Sequence, residues 1–206
     1  MKTGMKTGLI AALTVATATS VGSADIVYSG VLNQTADAAT GPGTIDIMGQ
    51  QWGFGHESGG PLDYSFVSAN NSGSGVFVEL GSLLVARNFA SGDTIGTFTE
   101  VLNMFPTGGG STNDNIVLYD YAAEPGGEGN FPSTGTGFVG FGFGGGVDFN
   151  YGWMRFTLEG PTRRVTLVDW AYESVVNQSI EVGAVPAPGV LAVMAVAGLA
   201  GRRRRA

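Results

Sequence analysis

Phe149-Asn150-Tyr151-Gly152-Trp153-Met154-Arg155-Phe156-Thr157-Leu158 decides the fold class. In an extended chain successive side chains point to opposite faces, so Tyr151, Trp153 and Arg155 share one face and Met154, Phe156 and Leu158 the other. The second set reads as core. The first carries an arginine among its aromatics and reads as an exposed strip. Downstream, Val165, Leu167, Asp169 and Ala171 fall on one face, and Thr166, Val168, Trp170 and Tyr172 on the other. Gly160-Pro161-Thr162 lies between the two runs with the chemistry of a tight turn, which predicts an antiparallel hairpin.

Outward from this hairpin the same grammar recurs. Short β-rich runs are predicted over 25–32, 44–47, 62–67, 75–80, 83–87, 94–98, 116–121, 137–143 and 179–182, separated by Gly, Asn, Ser or Pro. Segments 68–74 and 107–115 have turn composition, and 124–137 reads as a longer Gly/Pro loop. With 35 glycines in 206 residues, long helices are disfavoured. The expected fold is all-β, an antiparallel β-sandwich or jelly roll over residues 25–183.

Both ends read as sorting devices. Lys2 and Lys6, then an apolar stretch from Leu9 to Ala18, make a signal peptide over residues 1–24, with Ala16-Thr17-Ala18 and, preferred, Gly22-Ser23-Ala24 as cleavage points. Cleavage after Ala24 makes Asp25 the mature N-terminus. Met1-Lys2-Thr3-Gly4 is repeated as Met5-Lys6-Thr7-Gly8, so translation from Met5 leaves the same signal. At the other end, residues 184–206 carry Val185-Pro186-Ala187-Pro188-Gly189, an apolar run from Val190, and Arg202, Arg203, Arg204 and Arg205. A prolyl neck, a short transmembrane helix and a cationic stop retain a chain in a membrane with its arginines on the cytoplasmic side. The twelve apolar residues from Val190 to Gly201 span about 18 Å as helix, short of the roughly 30 Å hydrocarbon layer.

In that order of parts, the tail resembles the PEP-CTERM sorting signal of bacterial surface and matrix proteins. The resemblance implies cleavage by a membrane protease of the exosortase type, transient anchoring and delivery to the cell surface or extracellular matrix. The motif has Ala187 where the name-giving pattern has Glu. A second resemblance, carried by Tyr151-Gly152-Trp153-Met154-Arg155-Phe156, Val168-Asp169-Trp170-Ala171-Tyr172-Glu173 and Ile180-Glu181-Val182-Gly183, is to uncharacterised exported β proteins that bear this tail. It implies a shared β domain and a shared destination, and no activity.

Without its two ends the chain keeps 17 acidic residues against Arg87, Arg155, Arg163 and Arg164, a balance of −13 with no lysine. Such a surface repels nucleic acid and attracts cations. The absence of cysteine excludes disulfides, thiol catalysis and thiolate metal sites.

Candidate sites are few. An exposed Tyr151/Trp153/Arg155 strip would suit stacking on polysaccharide rings, although aromatics in a sandwich more commonly serve packing. Asn113-Asp114-Asn115 with Asp120 is an oxygen cluster for calcium, the one candidate cofactor, although Asn and Asp in turns commonly bond their own backbone. Asp46-Ile47-Met48-Gly49 resembles an Asp-rich calcium loop only weakly. His56, the single histidine, sits beside Glu57 in a Gly-rich stretch read as a loop, with no Gly-x-Ser-x-Gly elbow around Ser58. Gly142-Phe143-Gly144-Gly145-Gly146 precedes neither a Lys nor a helix and reads as close strand approach or a bulge. The expected function is that of an exported structural or matrix-associated protein without catalysis. The alternatives are a polysaccharide-binding module and a glycosidase using two carboxylates.

Overall fold

The computed structural model describes residues 25–59, 62–69, 74–78, 85–96, 104–106, 115–122, 129–145 and 147–186. In chain order the strands are β1 (Ile26–Tyr28), β2 (Gln34–Ala36), β3 (Gly43–Ile47), β4 (Gln50–Gly59), β5 (Leu62–Ala69), β6 (Ser74–Phe77), β7 (Asn88–Phe89), β8 (Thr94–Ile95), β9 (Met104–Pro106), β10 (Ile116–Asp120), β11 (Thr134–Gly145), β12 (Asp148–Glu159), β13 (Arg164–Glu173) and β14 (Ile180–Glu181). The protein is all-β and antiparallel. Among the described residues the sole helical element is a 3-10 turn at Gly160–Thr162, and the sole parallel contact an isolated bridge from Val85 to Val117.

The quoted stretch is β12, and it lies at the centre. An eight-stranded sheet runs β1-β13-β12-β11-β6-β9, with β2 also on β13 and β7 also on β11; a four-stranded sheet runs β10-β5-β4-β3. The β11–β12 ladder is unbroken from Thr134 opposite Glu159 to Gly145 opposite Asp148. Its glycines admit neighbouring chain: a Cβ at Gly152 would drive into the Phe141 ring and come within 2.6 Å of the Ala171 carbonyl oxygen. At Gly144 a Cβ would strike the carbonyl of Asp148, so this glycine-rich run is the close-approach end of a hairpin.

The two sheets face each other across one core. Trp52 of β4 meets Phe141 of β11 edge to face at 5.0 Å, and Phe54 meets Phe156 at 5.7 Å. Met154, Phe156 and Leu158 are buried there, as the alternation predicts.

The opposite face of β12 departs from expectation. Tyr151 and Trp153 are 4 % and 1 % exposed, packed with Phe77, Phe89, Ile95, Ala171, Ile180 and Val182 in a second core. The β8–β14 pair and the chain beside it supply Ile95, Ile180 and Val182 to this layer. At β12 the central sheet is therefore apolar on both faces, with Tyr151 and Trp153 interior and Arg155 half-buried.

The alternation in β13 is also interrupted. Arg155 faces Asp169 while Phe156 faces Leu167, leaving Val168 as a bulged residue. Beyond the bulge the parity flips. Val165 and Leu167 join the first core, Ala171 joins the second, and Tyr172 returns to the first. Asp169 is thereby carried onto the Arg155 face, away from the Val165 and Leu167 face on which strict alternation placed it.

His56 and Glu57, read as part of a glycine-rich loop, lie in the ten-residue β4. Met48 and Gly49, both at positive φ, make the turn into it, and the Gly49 N–H donates to Asp46 Oδ1 at 2.8 Å. Asp46 thus closes a hairpin.

Candidate binding cleft

An open cleft of about 430 Å³ is lined by Tyr119, Tyr121, Ser133, Thr134, Gly160, Pro161 and Arg163. Three segments build it. A register shift at Leu118 sets Tyr119 opposite the buried Ser65, on the face of β10 that carries Ile116, so Tyr119 and Tyr121 lie half-buried at the margin of the first core, their rings 4.7 Å apart at 63°. The Tyr121 N–H donates to the Asp63 carbonyl at 2.7 Å, holding the end of β10 on β5. The entry to β11 brings Ser133 and Thr134.

The β12–β13 turn provides the third wall. Pro161 opens the 3-10 turn, where its fixed φ fits and no N–H is needed, and Arg163 closes it in the left-handed region at φ 53°. That conformation lets the side chain fold back: Nη1 donates to the Gly160 carbonyl at 2.8 Å and Nη2 to Asp63 Oδ2 at 2.8 Å. The guanidinium then lies 3.8 Å from the centre of the Tyr121 ring. Asp63 holds a second cation-capable group behind the cleft, with His56 Nε2 3.2 Å from Oδ1.

His56 is buried, and its Nδ1 has no partner. Burial pushes its pKa below the ordinary 6.5, with Arg163 reinforcing and Asp63 opposing. Burial also raises the Tyr121 hydroxyl. With the folded imidazole titrating below 6.5, the unfolded chain binds the proton first. The contribution of His56 to stability is therefore whole above pH 6.5 and is lost as pH falls through the lower folded value. The melting temperature of wild type is expected to drop more between pH 7 and pH 5 than that of His56→Gln, whose amide cannot titrate. Parallel curves would show that the imidazole is not the group responsible.

Chemically, the lining offers phenol rings, a prolyl ring, two hydroxyl side chains and one fixed guanidinium. These suit a flat polar ligand with an apolar face, such as a pyranose ring. The lining includes no carboxylate, whereas glycoside hydrolysis uses two flanking the scissile bond.

The residues picked out from sequence are placed elsewhere. Tyr151 and Trp153 are buried, so no exposed stacking strip exists at β12. Arg155 Nε donates to Asp169 Oδ1 at 2.8 Å and Nη2 to Oδ2, while the Tyr28 hydroxyl donates to the same carboxylate at 2.8 Å. That bond and burial raise the Tyr28 pKa. Asn115 precedes β10 and Asp120 ends it. Asn115 donates to Glu57 Oε2 at 3.0 Å, and Asp120 accepts from the Ala122 N–H at 2.9 Å, the backbone bond expected of a turn aspartate. Asn113 and Asp114 are outside the described residues. So are residues 1–24, Ala187, Pro188, Gly189 and Arg202, Arg203, Arg204 and Arg205, while Val185 and Pro186 are exposed at the end of the described chain. Among the described residues no group of three or more His, Asp or Glu is placed to hold a metal ion, and no helix is long and apolar enough to cross a membrane.

Tyr119, Tyr121, Pro161 and Arg163 were not singled out from sequence as a site. The one available signal was the Gly160-Pro161-Thr162 turn, and nothing local connects it to Asp63, 100 residues earlier. Comparison with protein-family models, curated proteins and solved structures found no match, so the reading of this cleft rests on its geometry alone.

Proposed function

We propose that this chain is an exported, surface-sorted β protein of sandwich or jelly-roll type, without catalytic activity, that associates with the extracellular matrix by holding polysaccharide in the Tyr119/Tyr121/Arg163 cleft. The cleft carries the reading, because it gathers aromatic rings, hydroxyl groups and a fixed guanidinium on an open surface. The facing of the two sheets through Trp52, Phe54, Phe141 and Phe156 supports the sandwich description. The signal sequence and the tail, with its neck at Val185-Pro186-Ala187-Pro188-Gly189, support export, transient membrane anchoring and processing by an exosortase-type protease. The −13 balance outside the two ends disfavours polyanionic ligands such as nucleic acid and favours a neutral glycan.

A glycan array probed with cell-surface material tests this. Wild type is expected to retain neutral polysaccharides, and Tyr119→Ala or Tyr121→Ala to weaken binding by about tenfold, in keeping with about 0.5–1.5 kcal/mol per aromatic contact. Intact mass of the same material should lack Arg202–Arg205. No retained glycan removes the binding role and leaves the structural one. Release of reducing ends would put the glycosidase reading in its place.

A further inference from the structure

Glu173 ends β13 fully buried, with half of its carboxylate in use. Oε1 accepts from the Asp25 backbone nitrogen at 3.2 Å and from the Val175 N–H at 3.0 Å, whereas Oε2 is closed to solvent and has no donor. A buried carboxylate without a counter-charge is among the least favourable arrangements in a protein interior. Among the described residues no cation pairs with it: Arg155 is held by Asp169, Arg163 by Asp63, and Arg164 by Glu159 and Asp37, while Arg87 lies over the Phe89 ring.

The atom that does approach is the backbone nitrogen of Asp25, the residue after Gly22-Ser23-Ala24. Hydrolysis of the Ala24–Asp25 bond adds one water. The carboxylate stays on Ala24 with the leader, and the Asp25 nitrogen takes a proton to become a primary ammonium. An amide there offers one hydrogen; an ammonium offers three and a full positive charge.

We propose that Glu173 is a built receptor for the α-ammonium group of Asp25, so that removal of the signal peptide creates an ion pair, buried on its Glu173 side, that locks β1 onto β13. The proposal rests on the export reading. The pair sits at the end of the β1–β13 ladder, where Ile26 faces Glu173 and the Ser174 N–H donates to the Asp25 carbonyl at 3.2 Å. The new charge, beside Oε1, supplies the counter-charge that the carboxylate lacks. Until cleavage the same nitrogen is an amide that gives Oε1 one uncharged hydrogen bond.

The composition makes the test specific. Lys2 and Lys6 leave with the leader and no other lysine exists, so the α-amine is the sole amine of the exported chain. The full chain, exported by a bacterial host and collected from the cell surface, is sequenced from its N-terminus and treated at pH 7 with an acetylating succinimidyl ester. The N-terminus is expected at Asp25. Native protein should acetylate at least about tenfold more slowly than urea-unfolded protein, because each unit by which the pair raises the amine pKa lowers the free amine tenfold. Glu173→Gln should bring the native rate to within about twofold of the unfolded one, while Glu181→Gln, at an exposed position, leaves it slow. Should Glu173→Gln fail to fold, insertion of one alanine after Ala24 moves the amine out of reach and should give the same fast labelling with Glu173 intact. An N-terminus at Asp25 that labels as fast in the native as in the unfolded protein overturns the capture and leaves export standing. An uncleaved leader, or cleavage at another bond, overturns the capture, and an uncleaved leader overturns the export reading too.

Discussion

Phe156→Ala is expected to lower the stability of the β domain by about 3–5 kcal/mol. Phe156 is fully buried at the middle of β12, opposite Gly137 on one side and Leu167 on the other, and its ring lies 5.7 Å from Phe54 of the facing sheet. Truncation removes one of the aromatic contacts between the two sheets and leaves a cavity between backbones that the ladders hold in place. No cysteine exists to cross-link the chain, and a total stability of about 5–15 kcal/mol gives little margin. Urea unfolding checks this against Val147→Ala, at a position 83 % exposed, where a change within about 0.5 kcal/mol is expected. Equal midpoints for the two variants would mean that Phe156 does not join the sheets.

Arg155→Ala should destabilise by about 3 kcal/mol for a different reason. Asp169 is 1 % exposed, and its carboxylate is balanced by the Arg155 guanidinium and the Tyr28 hydroxyl alone among its described partners. Removal of the guanidinium leaves a buried anion with one neutral donor. The figure sits at the low end for buried pairs because Arg155 keeps 34 % of its side-chain surface in water. Replacing both partners, as Arg155→Leu with Asp169→Leu, should recover most of the loss, since no charge then remains to desolvate. A double variant no more stable than Arg155→Ala would show that packing around Phe138 and Trp153, rather than charge, is what Arg155 contributes.

The contrast between these two residues marks the limits of reading periodicity. Period two assigned Met154, Phe156 and Leu158 to a common face and made that face core, and both statements hold. It could not tell whether the other face was wet. The arginine in Tyr151/Trp153/Arg155 suggested that it was, but a buried aspartate from β13 accounts for the charge, and the β8–β14 layer covers the rings. Asp169 reaches Arg155 only because Val168 bulges, and a bulge has no signature in a run as regular as Val165–Ala171. β4 was lost to its glycines, which act here as slots for close approach: Gly55 packs against Pro42, and Gly53 pairs with Thr44.

The sequence by itself determined the all-β class, the β12–β13 turn, the first core face and the lysine-free acidity, because strand alternation, turn chemistry and charge are local or additive properties. Tertiary structure alone decided the rest. The cleft joins β10, the entry to β11 and the β12–β13 turn through an Asp63–Arg163 contact spanning 100 residues, and Glu173 meets the Asp25 nitrogen across 148. Contacts at such separations are selected by how two sheets close on a shared core, a global constraint that no window of sequence contains.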